Sequence, residues 1–378
     1  MKIASVKAMA ADVGFQTQAL QTGRVASPMS RWPEYADRRA SWMWPSKKTF
    51  VRIESEDGAI GWSCTNGGEI TALIISAHLS KLVENRSVDD LSELWEQMTL
   101  SLLPIDRSGF AMMAVAAIDI ALWDLRGRIE GRSLLDLLGG ARHESLAVYA
   151  TTSRPEDLAG EDWWGLKAAM PYGPEAGDAG FAGNVELIKG FRDAAGPRRK
   201  VTLDAFMAWD AEYTLRFAEA AADSRLHWIE DPLPPNDLDG YRTIRQSAGD
   251  SIRLALGNFC YSRSDCHELL REGLVDVLQP DVAWAGGITE CLRILDMASA
   301  AGVEVILHNT SEQPWALALA AARQLLPVVE FVDRGPESAL YTLMGERPDI
   351  RGGELRTSSL TVPNRPPETI KRAFEDFR

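Results

Sequence analysis

The chain has 378 residues, a formal net charge of -14 and a sequence pI near 5.0. This acidic balance disfavours nucleic acid and anionic membranes as partners, since both attract basic proteins. The sequence has no apolar run of membrane-spanning or secretory length, and its four cysteines form no disulfide framework, so we expect reduced thiols, a cytoplasmic location and small molecules or further copies of the chain as partners.

Residues 1–142 are predicted to form an α+β domain. Strand-like alternation of apolar and polar residues occurs in SVKAMAADV and in KKTFVRIESEDGAIGWSCT, and the Asp-Gly pair at 57–58 is a turn signal. Helices are predicted at 87–98, which begins on a capping serine, and at 109–131, which is long, largely apolar and ends on glycine. A Gly-Gly break at 139–140 separates this part from the rest of the chain, so we place the domain boundary after residue 142.

Residues 143–354 are predicted to form a (β/α) barrel. Eight apolar strands alternate with helical segments, and they read LAVYATT, GLKAAM, KVTLDAF, LHWIEDP, IRLALGN, VDVLQPD, VEVILHN and VVEFVDR. This alternation indicates a parallel sheet covered by helices, and the number of strands favours a closed barrel over an open Rossmann sheet. No strand is followed by a nucleotide-binding glycine loop. The tail, residues 355–378, leaves the pattern and is expected to pack back on the N-terminal domain.

Five of the predicted strands end in residues that can bind a metal or transfer a proton. They are Asp204, Glu230, Asn258, Asp281 and His308, and the steps between them are 26, 28, 23 and 27 residues. Each step is about the length of one strand and its crossover helix. In a parallel barrel the carboxyl ends of the strands share one face, where the loops build the active site. The sequence therefore predicts that these five side chains converge.

The residue types suggest a metal face and a base face. Asp204 and Glu230 are hard oxygen donors on successive strands, which suits Mg²⁺, although a single strand-end carboxylate is more often solvated or a helix cap. Side chains alternate along a strand, so Asp231 is expected to point elsewhere. Asp281 could hold one imidazole nitrogen of His308 and raise its pKa, leaving the other nitrogen as a base. The alternative is a neutral histidine bonded to nearby backbone.

Two further candidates lie on the second and last strands. Lys167 could bind the carboxylate of a substrate, and the alternative is a solvent-facing lysine on the barrel rim. Glu330 could donate a hydrogen bond to a developing oxyanion if it is protonated, which requires that burial raise its pKa.

These residues, with longer motifs, give the chain a family resemblance. It resembles the enolase superfamily, mandelate racemase type, and within it the L-rhamnonate dehydratase-like acid-sugar dehydratases. The resemblance covers nearly the whole chain and rests on SPMSRWPEYADRR, IDIALWDLRGR, LLDLLGG, PYGP, WIEDPLPPNDLDGY and VDVLQPDVAWAGGITE. It implies an α+β capping domain, completed by the C-terminal tail, over a modified TIM barrel. It also implies bound Mg²⁺, a carboxylate (sugar acid) substrate, a homo-oligomer, and abstraction of the proton α to the carboxylate.

The resemblance assigns roles residue by residue. It makes Asp204, Glu230 and Asn258 the metal ligands, Asp281 and His308 an Asp-His dyad, Lys167 the first lysine of a KxK motif, and Glu330 an electrophile. Two positions depart from the family pattern. Ala169 replaces the second KxK lysine, which disfavours two-base racemisation and leaves single-base elimination. Asn258 replaces a carboxylate, so the protein ligands would carry -2 rather than -3 and metal affinity is expected to fall.

Three functions stay open on these grounds. The first is a Mg²⁺-dependent dehydratase that removes the C2 proton of an aldonic-type acid and eliminates the 3-hydroxyl to give a 2-keto-3-deoxy acid, with attenuated activity if Asn258 weakens metal binding. The second is a non-catalytic member that binds acid sugars, and the third is an epimerase or cycloisomerase.

Substrate choice is expected to depend on the loop at 31–48. Packing of the cap on the barrel is the alternative role for its aromatic residues. The loop lacks histidine, which argues against L-rhamnonate itself as the substrate. Its candidate specificity residues are Trp32, Glu34, Tyr35, Arg38, Arg39, Trp42 and Trp44.

Overall fold

The structure is a computed structural model that describes residues 1–13, 24–36, 47–158, 162–323, 327–335, 338–360 and 364–376. Its strands are β1 Ile3–Ala11, β2 Lys48–Ser55, β3 Ile60–Thr65, β4 Ser145–Thr151, β5 Gly165–Ala169, β6 Lys200–Asp204, β7 Trp228–Glu230, β8 Leu254–Leu256, β9 Val277–Leu278, β10 Glu304–Val305, β11 Val328–Val332, β12 Ile350–Arg351 and β13 Glu354–Arg356. Its α-helices are α1 Pro33–Ala36, α2 Gly68–Ile74, α3 Ser80–Val83, α4 Leu91–Leu102, α5 Gly109–Glu130, α6 Leu134–Leu137, α7 Gly177–Ala195, α8 Ala211–Ala220, α9 Leu238–Ala248, α10 Arg263–Arg271, α11 Gly287–Ala301, α12 Pro314–Ala322 and α13 Glu368–Asp376. Within these ranges no helix combines the length and apolarity needed to cross a membrane.

The N-terminal part is an antiparallel sheet packed against helices. β1 pairs with β2 and β2 with β3, and the turn between β2 and β3 uses Gly58 at a φ of 86°, as the Asp-Gly signal predicted. Helix α5 is buried on nearly all sides because it lies between this sheet and barrel helix α11. Gly61 of β3 has no room for a Cβ, since the backbone of Ala121 in α5 lies against it. The close approach explains why glycine stands in this strand.

Strands β4 to β11 form the predicted parallel barrel. Each strand from β4 to β9 pairs in parallel with the next, and β11 pairs in parallel with β4. The join between β10 and β11 involves Thr310, whose hydroxyl accepts the N–H of Glu330 at 2.8 Å and donates to its carbonyl oxygen at 3.2 Å. The strand count, order and direction confirm the predicted fold class.

Buried side chains, most of them large, pack inside the barrel, and most of them lie in the first part of their strands. The buried cluster there consists of Tyr149, Trp228, Ala255, Val277, Ile306 and Val328. The rings of Tyr149 and Trp228 meet edge to face with centroids 5.5 Å apart. A packed interior of this kind leaves the opposite, carboxyl-terminal end of the strands for ligands.

The C-terminal segment contacts both parts of the chain. β13 pairs antiparallel with barrel strand β4. Asn364 then donates its N–H to Asp124 Oδ1 at 3.0 Å and its amide Nδ2 to the carbonyl oxygen of Trp62 at 2.8 Å. Phe374 of α13 packs edge to face on Trp62 at 5.3 Å. These contacts support our proposal that the end of the chain completes the capping domain, with domain boundaries near 142 and 354.

We expect Phe374→Ala to lower the free energy of unfolding by about 3 kcal/mol, because it removes a buried ring and leaves a cavity beside Trp62. Phe110→Ala is the matched control, since that ring is 36% exposed and its loss should cost under about 1 kcal/mol. Chemical denaturation followed by fluorescence measures both values. Equal losses would contradict the role assigned to the tail.

Candidate active site

The seven predicted site residues all lie at the carboxyl-terminal end of the barrel. They are Lys167 in β5, Asp204 at the end of β6, Glu230 at the end of β7, Asn258 after β8, Asp281 after β9, His308 after β10 and Glu330 in β11. Parallel pairing aligns the ends of β6 and β7 directly, with Asp204 opposite Glu230. Hydrogen bonds join five of the seven into an ammonium-carboxylate group and an Asp-His pair.

Lys167 is the counter-ion of two buried carboxylates. Its Nζ lies 2.8 Å from both oxygens of Glu230 and 2.8 Å from Oε1 of Glu330. Burial by itself would lower the pKa of Lys167, but the charges of Glu230 and Glu330 outweigh it and hold that pKa well above the ordinary value. The side chain is 2% exposed, so Lys167 is not a rim lysine. All three ammonium protons face carboxylate oxygens.

Glu330 is held by three donors and is ionised. Besides Lys167, the hydroxyl of Thr151 donates to its Oε1 at 2.6 Å and the N–H of Asn309 to its Oε2 at 2.7 Å. Burial would raise the pKa of Glu330, but the charges of Lys167 and His308 and the hydrogen bonds outweigh it and lower the pKa to about 2. An ionised carboxylate only accepts hydrogen bonds. The condition for the predicted donor role is therefore not met.

Asp204, Glu230 and Asp231 form a group of oxygen donors. One carboxylate oxygen of each lies within 4.8 Å of the others. Burial, reinforced by the charges of Glu230 and Asp204, raises the pKa of Asp231 well above its ordinary value. The expectation that Asp231 points elsewhere is wrong because β7 ends at Glu230 and Asp231 has a φ of 38°, so the alternation of a strand no longer applies.

Four buried side-chain oxygens at this end lack hydrogen-bond donors among the described residues. They are Oδ1 of Asn258, Oδ2 of Asp231, Oε1 of Gln279 and Oδ1 of Asn309, and the first three belong to residues that are at most 3% exposed. Buried polar atoms normally have partners, and a bound cation would satisfy such acceptors. Because every donor in the group is an oxygen, the residues fit a hard divalent cation such as Mg²⁺ better than a soft metal.

Asp281 and His308 form the predicted pair. Nδ1 of His308 lies 2.8 Å from Oδ2 of Asp281, and the N–H of Ala283 donates to Oδ1 at 2.8 Å. Burial would lower the pKa of His308, but the hydrogen bond to Asp281 and its charge outweigh burial and raise the pKa above the ordinary value. The imidazole is 18% exposed, so its Nε2 remains available to a ligand. The arrangement can hold and transfer a proton.

Sequence reasoning missed Gln313, which also holds Asp281. Its Nε2 donates to both carboxylate oxygens at 3.1 and 3.0 Å. The indole N–H of Trp315 donates to Oε1 of Gln313 at 2.8 Å and so fixes which end of the amide faces Asp281. In the sequence, Gln313 is marked only by its place directly before the proline that begins α12. That pattern is too common to predict a contact with Asp281.

Sequence reasoning also missed a row of aromatic rings beside the pair. Phe206 contacts Phe259 at 5.6 Å, Phe259 contacts Trp284 at 6.2 Å, and Trp284 contacts the ring of His308 at 5.2 Å, between ring centroids. Each aromatic residue follows a strand-end residue by one to three positions in DAF, GNF and PDVAW. That pattern could have indicated an apolar wall at the barrel mouth.

The segment at 24–36 contacts the barrel next to β5. The N–H of Ala26 donates to the carbonyl oxygen of Met170 at 2.8 Å. Trp32 and Glu34 are exposed, Tyr35 is partly exposed, and the guanidinium of Arg31 lies 5.5 Å from the ring of Trp32. The other proposed specificity residues, Arg38, Arg39, Trp42 and Trp44, lie outside the described residues.

Comparison with known families identifies both parts of the chain. Residues 43–139 match the mandelate racemase / muconate lactonizing enzyme N-terminal domain, and residues 167–366 match the enolase C-terminal domain-like family. The chain belongs to the mandelate racemase / muconate lactonizing enzyme family. This confirms the resemblance inferred from its motifs.

Members of the family with known names resemble the chain over its whole length. An L-rhamnonate dehydratase of Saccharopolyspora erythraea is 34% identical over 99% of this chain and 100% of its own length. The crystal structure of L-rhamnonate dehydratase from Gibberella zeae has a TM-score of 0.90 and 27% identity over 98% of this chain and 95% of that one, and the enzyme was also solved complexed with Mg. L-talarate/galactarate dehydratase from Salmonella typhimurium LT2, liganded with Mg and L-lyxarohydroxamate, has a TM-score of 0.78 at 22% identity over 98% and 92% of the two chains, which shows the shared fold.

We expect the pKa of His308 to lie above the ordinary value of about 6.5 and Asp281→Asn to lower it, because the carboxylate stabilises the imidazolium. NMR titration of the five histidines measures this, with the signal of His308 assigned by its loss in His308→Asn. The signal of His78, whose Nε2 lies 3.0 Å from Ser101 Oγ in the capping domain, is the internal control and should be the same in wild type and Asp281→Asn. An unchanged pKa of His308 in Asp281→Asn would contradict the pairing.

Proposed function

We propose that the chain is a Mg²⁺-dependent acid-sugar dehydratase that removes the C2 proton of an aldonic-type acid and eliminates its 3-hydroxyl. The main support is the pairing of Asp281 with His308 at the same barrel end as the oxygen-donor group of Asp204, Glu230 and Asp231. Full-length similarity to the named dehydratases, of which two were solved with Mg, supports the same reaction class.

The proposed metal ligands are Asp204, Glu230 and Asn258. Asp231 is near enough to Asp204 and Glu230 to add a further oxygen. When bound, Mg²⁺ supplies Lewis-acid stabilisation of negative charge on the substrate carboxylate, which is required because a proton α to a carboxylate is very weakly acidic. The amide of Asn258 carries no charge, so the three proposed ligands total -2, and this is expected to weaken the affinity for the ion.

His308 is the proposed base. In its neutral form Nε2 takes the C2 proton while Asp281 holds Nδ1–H and stabilises the imidazolium. The imidazolium returns this proton to the 3-hydroxyl, the C3–O bond breaks and water leaves. The resulting enol becomes the 2-keto-3-deoxy acid, and His308 is neutral again. Ala169 stands in β5 where a second base would be expected, which is consistent with a reaction that uses one base.

Lys167 is proposed to keep a positive charge beside the bound carboxylate of the substrate. Its raised pKa keeps the ammonium charged at neutral pH, although its donors are shared with Glu230 and Glu330. Glu330 is proposed to orient Lys167 and, through the N–H of Asn309, the backbone next to His308. Phe206, Phe259 and Trp284 would offer apolar surface to the C–H groups of the sugar chain.

The test is deuterium exchange at C2 over a panel of acid sugars with Mg²⁺ in D₂O, with detection of the 2-keto product. We expect exchange and product with at least one compound. His308→Asn should reduce both by about 10³-fold, because it removes the base with little change of shape. Absence of exchange and product from every compound would sink the proposal, and exchange with retention of the 3-hydroxyl would indicate an epimerase.

Metal affinity tests the ligand set separately. We expect Asn258→Asp to tighten Mg²⁺ binding by about tenfold, since it adds a negative charge to the ligands, and Asp204→Asn to weaken binding. Isothermal titration calorimetry with MgCl₂ measures both. Asp231→Asn determines whether that carboxylate adds to the affinity. An affinity that is the same in wild type, Asn258→Asp and Asn258→Ala would exclude Asn258 as a ligand.

A further inference from the structure

The position of Asp281 is not determined by the barrel sheet alone. β9 has only two residues, Val277–Leu278, and Asp281 lies three residues beyond its end. The backbone turns there, with the N–H groups of Trp284 and Ala285 donating to the carbonyl oxygen of Asp281 at 3.0 and 2.8 Å. Besides Gln313, which donates to both carboxylate oxygens, the direction of the carboxylate therefore depends on what holds the segment 282–289.

The capping domain contacts this segment two hydrogen bonds away from the carboxylate. The hydroxyl of Thr65, the last residue of β3, donates to the carbonyl oxygen of Ala283 at 2.6 Å. The N–H of Ala283 in turn donates to Oδ1 of Asp281 at 2.8 Å. Thr65 and Ala283 are 2% and 4% exposed, so water does not compete for the contact. Ala283 is thus held from both sides, by the cap and by the carboxylate it orients.

Two more buried contacts anchor the far end of the segment. The indole N–H of Trp95 in α4 donates to the carbonyl oxygen of Gly286 at 2.8 Å. The N–H of Thr289, in the first turn of α11, donates to Oδ2 of Asp119 in α5 at 2.9 Å, so a cap residue satisfies a free N–H at the start of a barrel helix.

Two glycines of the segment allow its backbone to lie close to the capping domain. Gly286 and Gly287 have φ values of 77° and 88°, which other residues rarely adopt. A Cβ on Gly287 would lie 2.5 Å from Oδ2 of Asp119, and one on Gly286 would lie 2.9 Å from Met112 of α5. The segment is therefore shaped to lie directly against the cap.

We propose that Thr65, Trp95 and Asp119 are positioning residues through which the capping domain sets the Asp281 carboxylate against His308. The effect on turnover rests on the proposed function, whereas the effect on His308 itself does not. A capping domain that only covers the barrel mouth would contact the segment without affecting the base. In the arrangement proposed, loosening one cap contact weakens the Asp281–His308 hydrogen bond.

The experiment compares Thr65→Val with Thr71→Val. Both remove the hydroxyl of a buried threonine in the capping domain, but the hydroxyl of Thr71 has no hydrogen-bond partner among the described residues. We expect Thr65→Val to lower the pKa of His308 in the NMR titration and to lower kcat about tenfold with KM within about twofold of wild type. Thr71→Val should change neither, and Thr65→Ser, which keeps the hydroxyl, should restore both. None of these substitutions changes Glu330 or Lys167, the other charged groups that face His308.

A pKa of His308 that is equal in wild type, Thr65→Val and Thr71→Val would overturn the proposal, whatever happens to the melting temperature. If Thr65→Val does not fold, Trp95→Phe makes the same comparison, because it removes the indole N–H and keeps a ring. Its control is Trp163→Phe, at a similarly buried tryptophan whose Nε1 has no partner in the described part of the chain. If no acid sugar is turned over, the proposed function fails and the titration of His308 still decides the positioning role.

Discussion

The carboxyl-terminal end of the barrel depends on one buried ammonium group, that of Lys167. Bringing charges out of water costs several kcal/mol for each ion unless opposite charges and hydrogen bonds meet them. Lys167 meets Glu230 and Glu330 at 2.8 Å, and these three residues stand on β5, β7 and β11. The group therefore links strands on different sides of the barrel at their ends. Loss of the ammonium would leave two buried carboxylates uncompensated, a change that typically costs about 3–5 kcal/mol.

Neighbouring carboxyl groups at this end have pKa values shifted in opposite directions, and contact with Lys167 alone does not decide the direction. Burial acts to raise the pKa of each group. For Glu330 the charges of Lys167 and His308 outweigh burial and the pKa falls to about 2. Glu230 touches the same ammonium, but the charges of Asp204 and Glu330 add to burial and its pKa rises to about 7, and the pKa of Asp231 rises as well. One cation serves Glu330 and Glu230, whereas Asp204 and Asp231 lie beside Glu230 and Oδ2 of Asp231 and Oδ1 of Asn258 have no hydrogen-bond donor among the described residues. Clustered carboxylates and unpaired oxygens of this kind are what a divalent cation can neutralise.

The strand rhythm of the sequence predicted the barrel and the end at which its polar residues meet, because crossover helices have similar lengths and parallel strands share one direction. Individual side-chain contacts were harder to predict from the sequence. Asp231 turns back through a left-handed conformation that alternation does not anticipate, and the ionisation of Glu330 depends on which neighbour it touches. Thr65 and Ala283 are 218 residues apart in the sequence, and no local pattern around either residue predicts their hydrogen bond. Such pairs depend on how the cap docks on the barrel.

The two faces of the site are consequently supported by different parts of the chain. The oxygen-donor face consists of strand ends, which the parallel ladder and Lys167 hold in register. The base face consists of loop residues, and Asp281 owes its orientation to Gln313 on one side and to the cap contacts of Ala283 on the other. Because the carboxylate of Asp281 sets both the tautomer and the pKa of His308, a small displacement of the cap can alter proton transfer without disturbing the donor face. The segment 24–36 contacts the barrel beside β5. Movement of the capping domain would therefore displace residues at the mouth of the barrel as well as the proposed base, His308.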